Sequence, residues 1–332
     1  MADVVNEPDI SIEVSRAAEP RPGPEERALL QTYLSRDLPE VPPRYFYDDV
    51  GSELFEQITR LPSYYQTRTE LKLLERYAAE IMGAVGPRQV VELGSGAGRK
   101  IRTLLDAWGP SPRGKTCVML DINELFLRQS LTSLAAGYPS IRFRGVVGDF
   151  VRDLGRLGPP GGRLVVFFAG TIGNLYPAER AAFLRALSAA MDPTDSLLLG
   201  VDLVKDPARL EAAYDDPQGV TAAFNLNMLS VVNRRFDADF NPSDFRHRAF
   251  YDRESAWIEM RLVAVRPAHV TLRALPMEID LPQGAELRTE ISCKFTRESL
   301  ALNAAEAGLS LSRWCPDPDR LFALGLLRKE AP

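Results

Sequence analysis

The middle of the chain alternates short apolar runs with longer amphipathic segments. The apolar runs have the length and composition of buried strands, and they cover residues 89–93, 117–120, 141–147, 163–168 and 196–201. The segments between them with helix-like composition cover residues 99–107, 123–136 and 179–191. Strands and helices that alternate in this way predict an α/β fold with a doubly wound, mostly parallel sheet covered on both faces.

The pattern changes on both sides of this core. Helical patterns at residues 207–214 and 220–232 precede strand-like segments at 246–252, 257–266, 269–272 and 277–281. We therefore predict a second, α+β domain for substrate binding from residues 25–67 and 205–293, and a core from residues 68–204 and 294–332. Residues 1–24 are acidic and proline-rich, and we expect them to form a disordered leader.

The composition excludes several functional classes. The 332 residues include 40 Lys and Arg against 45 Asp and Glu, so the chain has no basic excess for binding nucleic acid. The two histidines, His247 and His269, and the three cysteines form no metal-ligating motif, so we predict no bound metal. No apolar run approaches the roughly 20 residues that cross a bilayer, and widely spaced cysteines in odd number suit a reducing compartment. We therefore expect a cytoplasmic monomer without a membrane span.

A glycine-rich segment joins the first predicted core strand to the helix that follows. It reads Glu92-Leu93-Gly94-Ser95-Gly96-Ala97-Gly98, and such glycines let backbone N–H groups approach a ligand at a helix N-terminus. A dinucleotide fingerprint would have glycine three residues after Gly96, where this chain has Arg99. An acidic residue at the strand end with this glycine spacing favours S-adenosylmethionine, because the Glu92 carboxylate suits the cationic methionine part of that cofactor.

Acidic and aromatic residues follow the next two strands. Asp121 lies 27 residues after Gly94 and is suited to accept hydrogen bonds from both ribose hydroxyls. Asp149 and Phe150 follow the third strand, where they can contact the adenine amino group and ring. The predicted cofactor site therefore comprises Glu92, Gly94, Ser95, Gly96, Lys100, Asp121, Asp149 and Phe150.

With this motif in hand, the chain resembles the L-histidine N-alpha-methyltransferases of ergothioneine biosynthesis. The matching stretches span almost the whole chain beyond the leader: residues 45–55, 61–70, 91–96, 171–175, 202–206, 213–216, 219–225, 258–260 and 289–295. The resemblance implies a Rossmann-like S-adenosylmethionine-dependent methyltransferase core. It also implies that the substrates are L-histidine and its mono- and dimethyl forms, and that the product is hercynine.

Two alternatives remain open beside this reading. A paralogue on the same scaffold would methylate the alpha-amine of another amino acid, such as tryptophan, and a non-catalytic binding protein would have kept only the fold. Glu290 and Met260 distinguish a histidine methyltransferase from such a paralogue, because an indole would leave the Glu290 carboxylate partly unpaired, at a cost of about 1–3 kcal/mol.

The resemblance also implies how the substrate is held. Asn174 and Tyr214 are expected to bind its carboxylate, which suits an amide and a phenol that both donate hydrogen bonds. Glu290 and Ser292 stand two apart in an extended stretch, so both side chains point to one face and can grip an imidazole. Tyr64 is a further expected contact to the ring.

The remaining pocket residues are predominantly apolar. Thr221 and Met260 are expected to line the pocket, and Tyr47 and Phe55 to lie near the reacting amine. Aromatic faces there would stabilise a trimethylammonium group by about 0.5–2 kcal/mol. Tyr47 is also a candidate for a proton relay, so the predicted catalytic residues are Tyr47, Asn174 and Tyr214.

The chain departs from the family pattern just before Thr171. The family pattern has a Gly-Ser pair there, whereas this chain has Ala169 and Gly170. The backbone carbonyl at this strand end is expected to face the substrate amine, so the departure bears on how the amine is placed.

Overall fold

The computed structural model describes residues 10–14, 22–109 and 114–329. Within these residues the strands are β1 (Ile10–Val14), β2 (Gln89–Leu93), β3 (Lys115–Asp121), β4 (Ile141–Val147), β5 (Arg163–Phe167), β6 (Ser196–Asp202), β7 (Phe245–Asp252), β8 (Trp257–Ala264), β9 (Ala268–Leu272), β10 (Met277–Leu281), β11 (Glu286–Cys293), β12 (Leu309–Pro316) and β13 (Phe322–Lys329). The α-helices are α1 (Pro24–Leu34), α2 (Asp49–Ile58), α3 (Tyr65–Val85), α4 (Arg99–Asp106), α5 (Glu124–Gly137), α6 (Pro177–Ala189), α7 (Pro207–Tyr214), α8 (Val220–Phe236) and α9 (Arg297–Ala305).

The chain divides into two compact units. Unit 1 consists of Met1–Arg16, Gln66–Leu203 and Phe295–Pro332, and unit 2 consists of Ala17–Tyr65 and Val204–Lys294. The breaks at residues 65, 203 and 294 lie within two positions of the boundaries expected from the sequence.

An eight-stranded sheet runs through the described part of unit 1, in the order β1-β4-β3-β2-β5-β6-β13-β12. Strands β1 to β6 pair in parallel, and β13 pairs antiparallel with both β6 and β12. Every residue of β5 and β6 is buried, as expected for strands covered on both faces. The predicted α/β fold with a mostly parallel sheet is therefore confirmed.

The strand order of unit 1 reverses at β2. Strands β3 and β4 lie on one side of β2, and β5 and β6 lie on the other. In open α/β sheets, ligands bind outside the carboxyl ends of the strands at such a switch point. The loops after β2, β3, β4 and β5, which carry most of the predicted cofactor residues, begin at this edge of the sheet.

Unit 2 is built on a three-stranded antiparallel sheet in the order β11-β8-β7, with β9 and β10 forming a separate hairpin. Helix α8 packs against β7 and α2. Asp48 caps α2, because its Oδ1 accepts a hydrogen bond from the Gly51 N–H at 2.8 Å. The same oxygen accepts from Asn227 Nδ2 of α8 at 2.8 Å, so the start of α2 is fixed on α8.

Residues 10–14 correct the prediction of a disordered leader over residues 1–24. They form β1, which pairs in parallel with β4, from Ile10 opposite Phe143 to Val14 opposite Val147. Ile10 and Ile12 pack on the apolar core of unit 1, and this alternation is the strand signal that the acidic composition concealed. Residues 1–9 and 15–21 lie outside the described part of the chain, and Pro24 already begins α1.

Strand β12 was not predicted. Only Leu309 and Cys315 of its eight residues are buried, and the strand includes Ser310, Ser312 and Arg313, which weakens the apolar signal. None of the helices in the described residues is both long enough and apolar enough to cross a membrane.

Candidate functional site

The glycine-rich loop of unit 1 depends on a backbone conformation that glycine adopts without strain. Gly94, Gly96 and Gly98 have φ of 67°, 48° and 64°. A Cβ atom at Gly94 or Gly96 would meet no heavy atom within 4 Å, so these positions face open space where a ligand can approach the backbone. Gly98 is the N-cap of α4, which directs the start of that helix at the same region.

Asp121 ties this loop to the end of β3. Its Oδ2 accepts a hydrogen bond from the Gly96 N–H at 2.7 Å, and its Oδ1 accepts from the Asn123 N–H at 2.9 Å. Burial raises the pKa of the Asp121 carboxyl, and the backbone hydrogen bonds from Asn123 and Gly96 oppose that rise. Each carboxylate oxygen has a second acceptor position, so the group can still take the two ribose hydroxyls that the sequence predicts for it.

Two buried polar atoms beside the loop lack a hydrogen-bond partner among the described residues. They are Glu92 Oε2 and Ser95 Oγ. Burial raises the pKa of the Glu92 carboxyl well above its usual range, while the positive charge of Lys100 lowers it. A buried carboxylate with an unpaired oxygen is costly, so this site fits a ligand that brings a positive charge and hydrogen-bond donors. The chain's residues therefore fit the cationic methionine part and the ribose of S-adenosylmethionine.

Lys100 has a partner that the sequence did not reveal. Its Nζ forms an ion pair with Glu70 Oε2, and the Glu70 side chain is fully buried. Glu70 Oε1 and Oε2 also accept hydrogen bonds from the Ala169 N–H at 3.1 and 2.9 Å. Lys100 thus lies at the start of α4 as predicted, but it is held there by a carboxylate of α3.

Asp149 and Phe150 lie directly after β4. Asp149 Oδ1 accepts from the Val151 N–H at 2.9 Å, which closes a local turn. The Phe150 ring packs edge-on against Phe167, with ring centroids 4.8 Å apart, and against Phe183 at 5.8 Å. Both residues are partly exposed, so they can contact a ligand at this edge of the sheet.

Asn174 ends a short 3-10 turn, Thr171–Asn174, that follows β5 in unit 1. The turn begins with two left-handed residues, because Ala169 has φ of 65° and Gly170 has φ of 69°. The Gly173 N–H donates to the Gly170 carbonyl at 2.8 Å, and Thr171 Oγ1 donates to the Phe168 carbonyl at 2.8 Å. The position of Asn174 therefore depends on the conformation of Ala169.

Four of the predicted substrate residues form a continuous aromatic series in unit 2. Tyr47 contacts Phe55 at 5.9 Å between ring centroids, Phe55 contacts Tyr64 at 6.2 Å, and Tyr64 contacts Tyr214 at 6.3 Å. All three contacts are edge-to-face, the geometry that aromatic rings prefer. Phe224 of α8, which the sequence did not single out, packs against Tyr47 and Phe55 at 6.0 and 5.9 Å.

A polar cluster continues from the aromatic series. Tyr214 donates its hydroxyl hydrogen to Ser292 Oγ at 2.8 Å. Lys294 Nζ donates to the same Oγ at 2.7 Å and to the Tyr214 hydroxyl at 3.0 Å. Lys294 is only 5% exposed, so its ammonium group is largely shielded from solvent and contacts both hydroxyl groups. Sequence reasoning missed Lys294, although its spacing of two from Ser292 in an extended stretch predicts a side chain on the same face.

Glu290 lies on β11 two residues before Ser292 and is 8% exposed. Burial raises the pKa of its carboxyl to about 7, and the positive charge of Lys294 acts in the opposite direction. Met260 on β8 is its partner across the two strands. Of the residues predicted to recognise the substrate ring, Glu290, Met260 and Ser292 are thus assembled on neighbouring strands.

Thr221 is buried in the first turn of α8, where its N–H donates to Asp216 Oδ1 at 2.7 Å. One turn later, Asn225 Nδ2 donates to His247 Nδ1 at 2.9 Å. His247 Nε2 lies 2.8 Å from the Tyr214 backbone carbonyl, so this nitrogen carries the hydrogen and donates it. His247 is therefore a partly buried support for Tyr214, and this burial lowers the pKa of its imidazole.

A comparison with protein families and known proteins agrees with these features. Residues 26–329 match the model of a family described as histidine-specific, S-adenosylmethionine-dependent methyltransferases. The chain is 49% identical over 286 residues to the histidine N-alpha-methyltransferase of Mycolicibacterium smegmatis, covering 86% of this chain and 89% of that protein. It is 45% identical over 296 residues to the protein of the same name from Mycobacterium tuberculosis, covering 89% of this chain and 92% of that protein. Ergothioneine biosynthesis protein 1 of Schizosaccharomyces pombe is 31% identical over 65% of this chain and 29% of its own length.

Proposed function

Because this chain belongs to the family of S-adenosylmethionine-dependent histidine-specific methyltransferases, we propose that it transfers three methyl groups to the alpha-amine of L-histidine. The product would be hercynine, and the reaction would be the first step of ergothioneine biosynthesis. The observation that carries the proposal is the buried Glu290 carboxylate, which lies opposite Met260 and is followed on the same face by Ser292 and Lys294.

The methyl donor would be bound in unit 1. In the proposal, the Asp121 carboxylate accepts the ribose hydroxyls, and Glu92 lies beside the positive charge of the methionine part. The unpaired Glu92 Oε2 and Ser95 Oγ support this assignment. S-adenosylmethionine, when bound, supplies an electrophilic methyl group on a sulfonium. Gly94, Gly96, Lys100, Asp149 and Phe150 complete the set of residues that we propose to hold it.

The imidazole of histidine would be recognised in unit 2. Glu290 accepts the ring N–H, and Ser292 donates its hydroxyl hydrogen to the second ring nitrogen. Ser292 Oγ already accepts from Lys294 at 2.7 Å, and an oxygen that accepts from an ammonium group is oriented to donate its own hydrogen elsewhere. An indole has one N–H and no ring nitrogen that accepts, so Ser292 would lose its partner with tryptophan.

The substrate carboxylate would be held by Asn174 and Tyr214, as the sequence resemblance implies. The Tyr214 hydrogen is donated to Ser292 in the structure, so this role requires the hydroxyl to rotate towards the carboxylate. Lys294 keeps the Tyr214 oxygen in place during that rotation, because it donates to this oxygen at 3.0 Å. Its ammonium group also supplies a positive charge near the bound anion.

The amine must be neutral before each methylation, so one proton is released in each round. We propose that Tyr47 takes part in a hydrogen-bond relay for this proton, rather than acting as a strong base, since a phenol ordinarily titrates near pH 10. The Tyr47 and Phe55 faces would stabilise the cationic product, while Tyr64 would contact the imidazole and Thr221 would line the pocket. Alignment of the amine with the methyl group would lower the activation barrier by up to roughly 7–11 kcal/mol.

A competition assay tests the function. The purified protein is given S-adenosylmethionine, the twenty amino acids in equal amounts, and mono- and dimethylhistidine, and products are read by mass spectrometry. We expect a histidine product heavier by three methyl groups. Methylation of another amino acid would replace the proposal with a paralogous activity, and cofactor binding without turnover would indicate a binding protein.

The proposal also covers the compartment, the oligomeric state and the partners of the protein. We propose that the protein acts in the cytoplasm, as a monomer, on small molecules, without bound metal, nucleic acid or membrane. The net charge of −5 and the scarcity of histidine and cysteine motifs are the supporting observations. Light scattering at a defined concentration measures the oligomeric state directly.

A further inference from the structure

The turn after β5 contains a residue in a conformation that its side chain disfavours. Ala169 has φ of 65°, and an L-residue with a Cβ atom is strained in this left-handed region. Glycine would adopt the same φ without strain. This chain therefore needs an interaction that holds Ala169 in place.

Glu70 provides that interaction. Both of its carboxylate oxygens accept from the Ala169 N–H, at 3.1 and 2.9 Å, and the Glu70 side chain has no exposed surface. The carboxylate lies where β6 has Gly200, and a Cβ atom at Gly200 would overlap Glu70 Oε1. The glycine in the middle of a buried strand thus makes room for this one side chain.

The same carboxylate also determines the position of Lys100. Glu70 Oε2 pairs with Lys100 Nζ at the first turn of α4, directly after the glycine-rich loop. The turn that Ala169 begins continues to Asn174 through the Gly173–Gly170 hydrogen bond. One buried group of unit 1 therefore contacts both the first turn of the helix that follows the proposed methyl-donor loop and the turn proposed for the substrate.

We propose that Glu70 is a positioning residue that holds the Lys100 end of the methyl-donor loop and the strained Ala169–Gly170 turn in register with each other. The proposal has two parts: the contact with Lys100 acts on the methyl donor, and the contact with Ala169 acts on the substrate. Only the second part, the substrate arm, rests on the function proposed above. A purely structural ion pair would stabilise the fold without linking the conformation of Ala169 to that of Lys100.

A double-mutant cycle tests the substrate arm. Glu70→Gln keeps an acceptor for Ala169 but loses the carboxylate charge, and Ala169→Gly removes the strain that Glu70 opposes. We expect Glu70→Gln to lower kcat/KM for histidine at least tenfold, and we expect the double variant to recover at least threefold of that loss. Glu75→Gln, an exposed position on the same helix, is the matched control and should stay within twofold of the parent protein.

Two readouts do not require turnover. In urea unfolding, Ala169→Gly should stabilise the Glu70→Gln protein more than it stabilises the parent, because a neutral amide oxygen holds the strained Ala169 N–H less strongly than a carboxylate does. In calorimetry, Glu70→Gln should weaken binding of S-adenosylhomocysteine at least fivefold through Lys100, and Ala169→Gly should not restore it. Should Glu70→Gln not fold, Glu70→Asp keeps the charge but draws the carboxylate back by one methylene, and it should give the same loss of S-adenosylhomocysteine binding.

The outcomes separate this inference from the proposed function. Equal effects of Ala169→Gly on the unfolding of both proteins, or unchanged S-adenosylhomocysteine binding in Glu70→Gln (in Glu70→Asp where Glu70→Gln does not fold), would overturn the role of Glu70. Failure of the parent protein to methylate histidine would overturn the proposed function, while the unfolding and calorimetric results would still decide the role of Glu70.

Discussion

Met260 lies directly opposite Glu290 in the register of β8 and β11. Opposite residues of an antiparallel pair have Cβ atoms about 4.5–5.5 Å apart, so a flexible apolar side chain borders a buried carboxylate. In the proposed site, Glu290 would accept a hydrogen bond from a polar ring, and the Met260 side chain beside it would limit the size of that ring.

Replacement of Glu290 by Gln is expected to weaken histidine selectively. Gln keeps an acceptor oxygen but loses the charge that strengthens a hydrogen bond by about 1–1.5 kcal/mol, so KM for histidine should rise roughly 5- to 10-fold, and the preference for histidine over tryptophan should fall. Steady-state kinetics with both amino acids measure this. Glu278→Gln, at an exposed position of β10, is the control, and an unchanged histidine preference in Glu290→Gln would remove the imidazole assignment.

The stability of the protein should depend on pH through Glu290. Its pKa is about 7 in the folded chain and near 4.5 when unfolded, so the folded state holds the proton more tightly. The stabilisation is complete below pH 4.5 and is lost as the pH rises to 7, by about 3 kcal/mol. Urea unfolding across this range should show the difference between the parent and Glu290→Gln changing by this amount, whereas a constant difference would contradict the raised pKa.

Lys294→Met should change the pH profile as well as the affinity. Removal of the ammonium group takes away the positive charge that lowers the pKa of Glu290, so the acidic limb of kcat/KM for histidine should move to higher pH. KM should rise by roughly tenfold or more, since Tyr214 and Ser292 lose their common donor. Lys329→Met, which removes a bond to a backbone carbonyl in unit 1, is the control and should leave the profile unmoved.

Asp121→Asn is expected to affect the methyl donor and spare the amino acid. An amide retains the shape of the carboxylate but lacks its charge and one acceptor oxygen, so S-adenosylhomocysteine binding should weaken roughly 10- to 100-fold. Titration calorimetry measures this, with Asp106→Asn in α4 as control. If KM for histidine rose by a comparable factor and S-adenosylhomocysteine binding did not change, the assignment of Asp121 to the methyl donor would be wrong.

The glycine-rich loop after β2 could be predicted because its signals are local in the sequence. Glu92, Gly94 and Gly96 are adjacent, and Asp121 ends the next strand, so strand pattern and residue type together suffice. Strand β1 could not be recognised in the same way, because it pairs with β4 across more than a hundred residues and its Ile10 and Ile12 are only partly buried against the core.

Glu70 and Lys294 were missed for a physical reason that they share. A charged residue in a helix or at a strand end is normally solvated, and nothing in the local sequence shows that these two are buried. The signals lie elsewhere, in Gly200 within an otherwise bulky apolar strand and in the spacing of Glu290, Ser292 and Lys294. Each becomes informative only when the partner across the fold is known.

The edge position of β1 has a consequence for how the protein behaves in solution. Without β1, strand β4 would end the sheet and present a row of unpaired backbone N–H and C=O groups. Arg144 of β4 would also lose Glu13, to which its Nε and Nη2 donate at 3.0 Å. Such an open edge is a template on which a second chain can add its own strand, so trimming the first sixteen residues would invite self-association while leaving every proposed ligand contact intact.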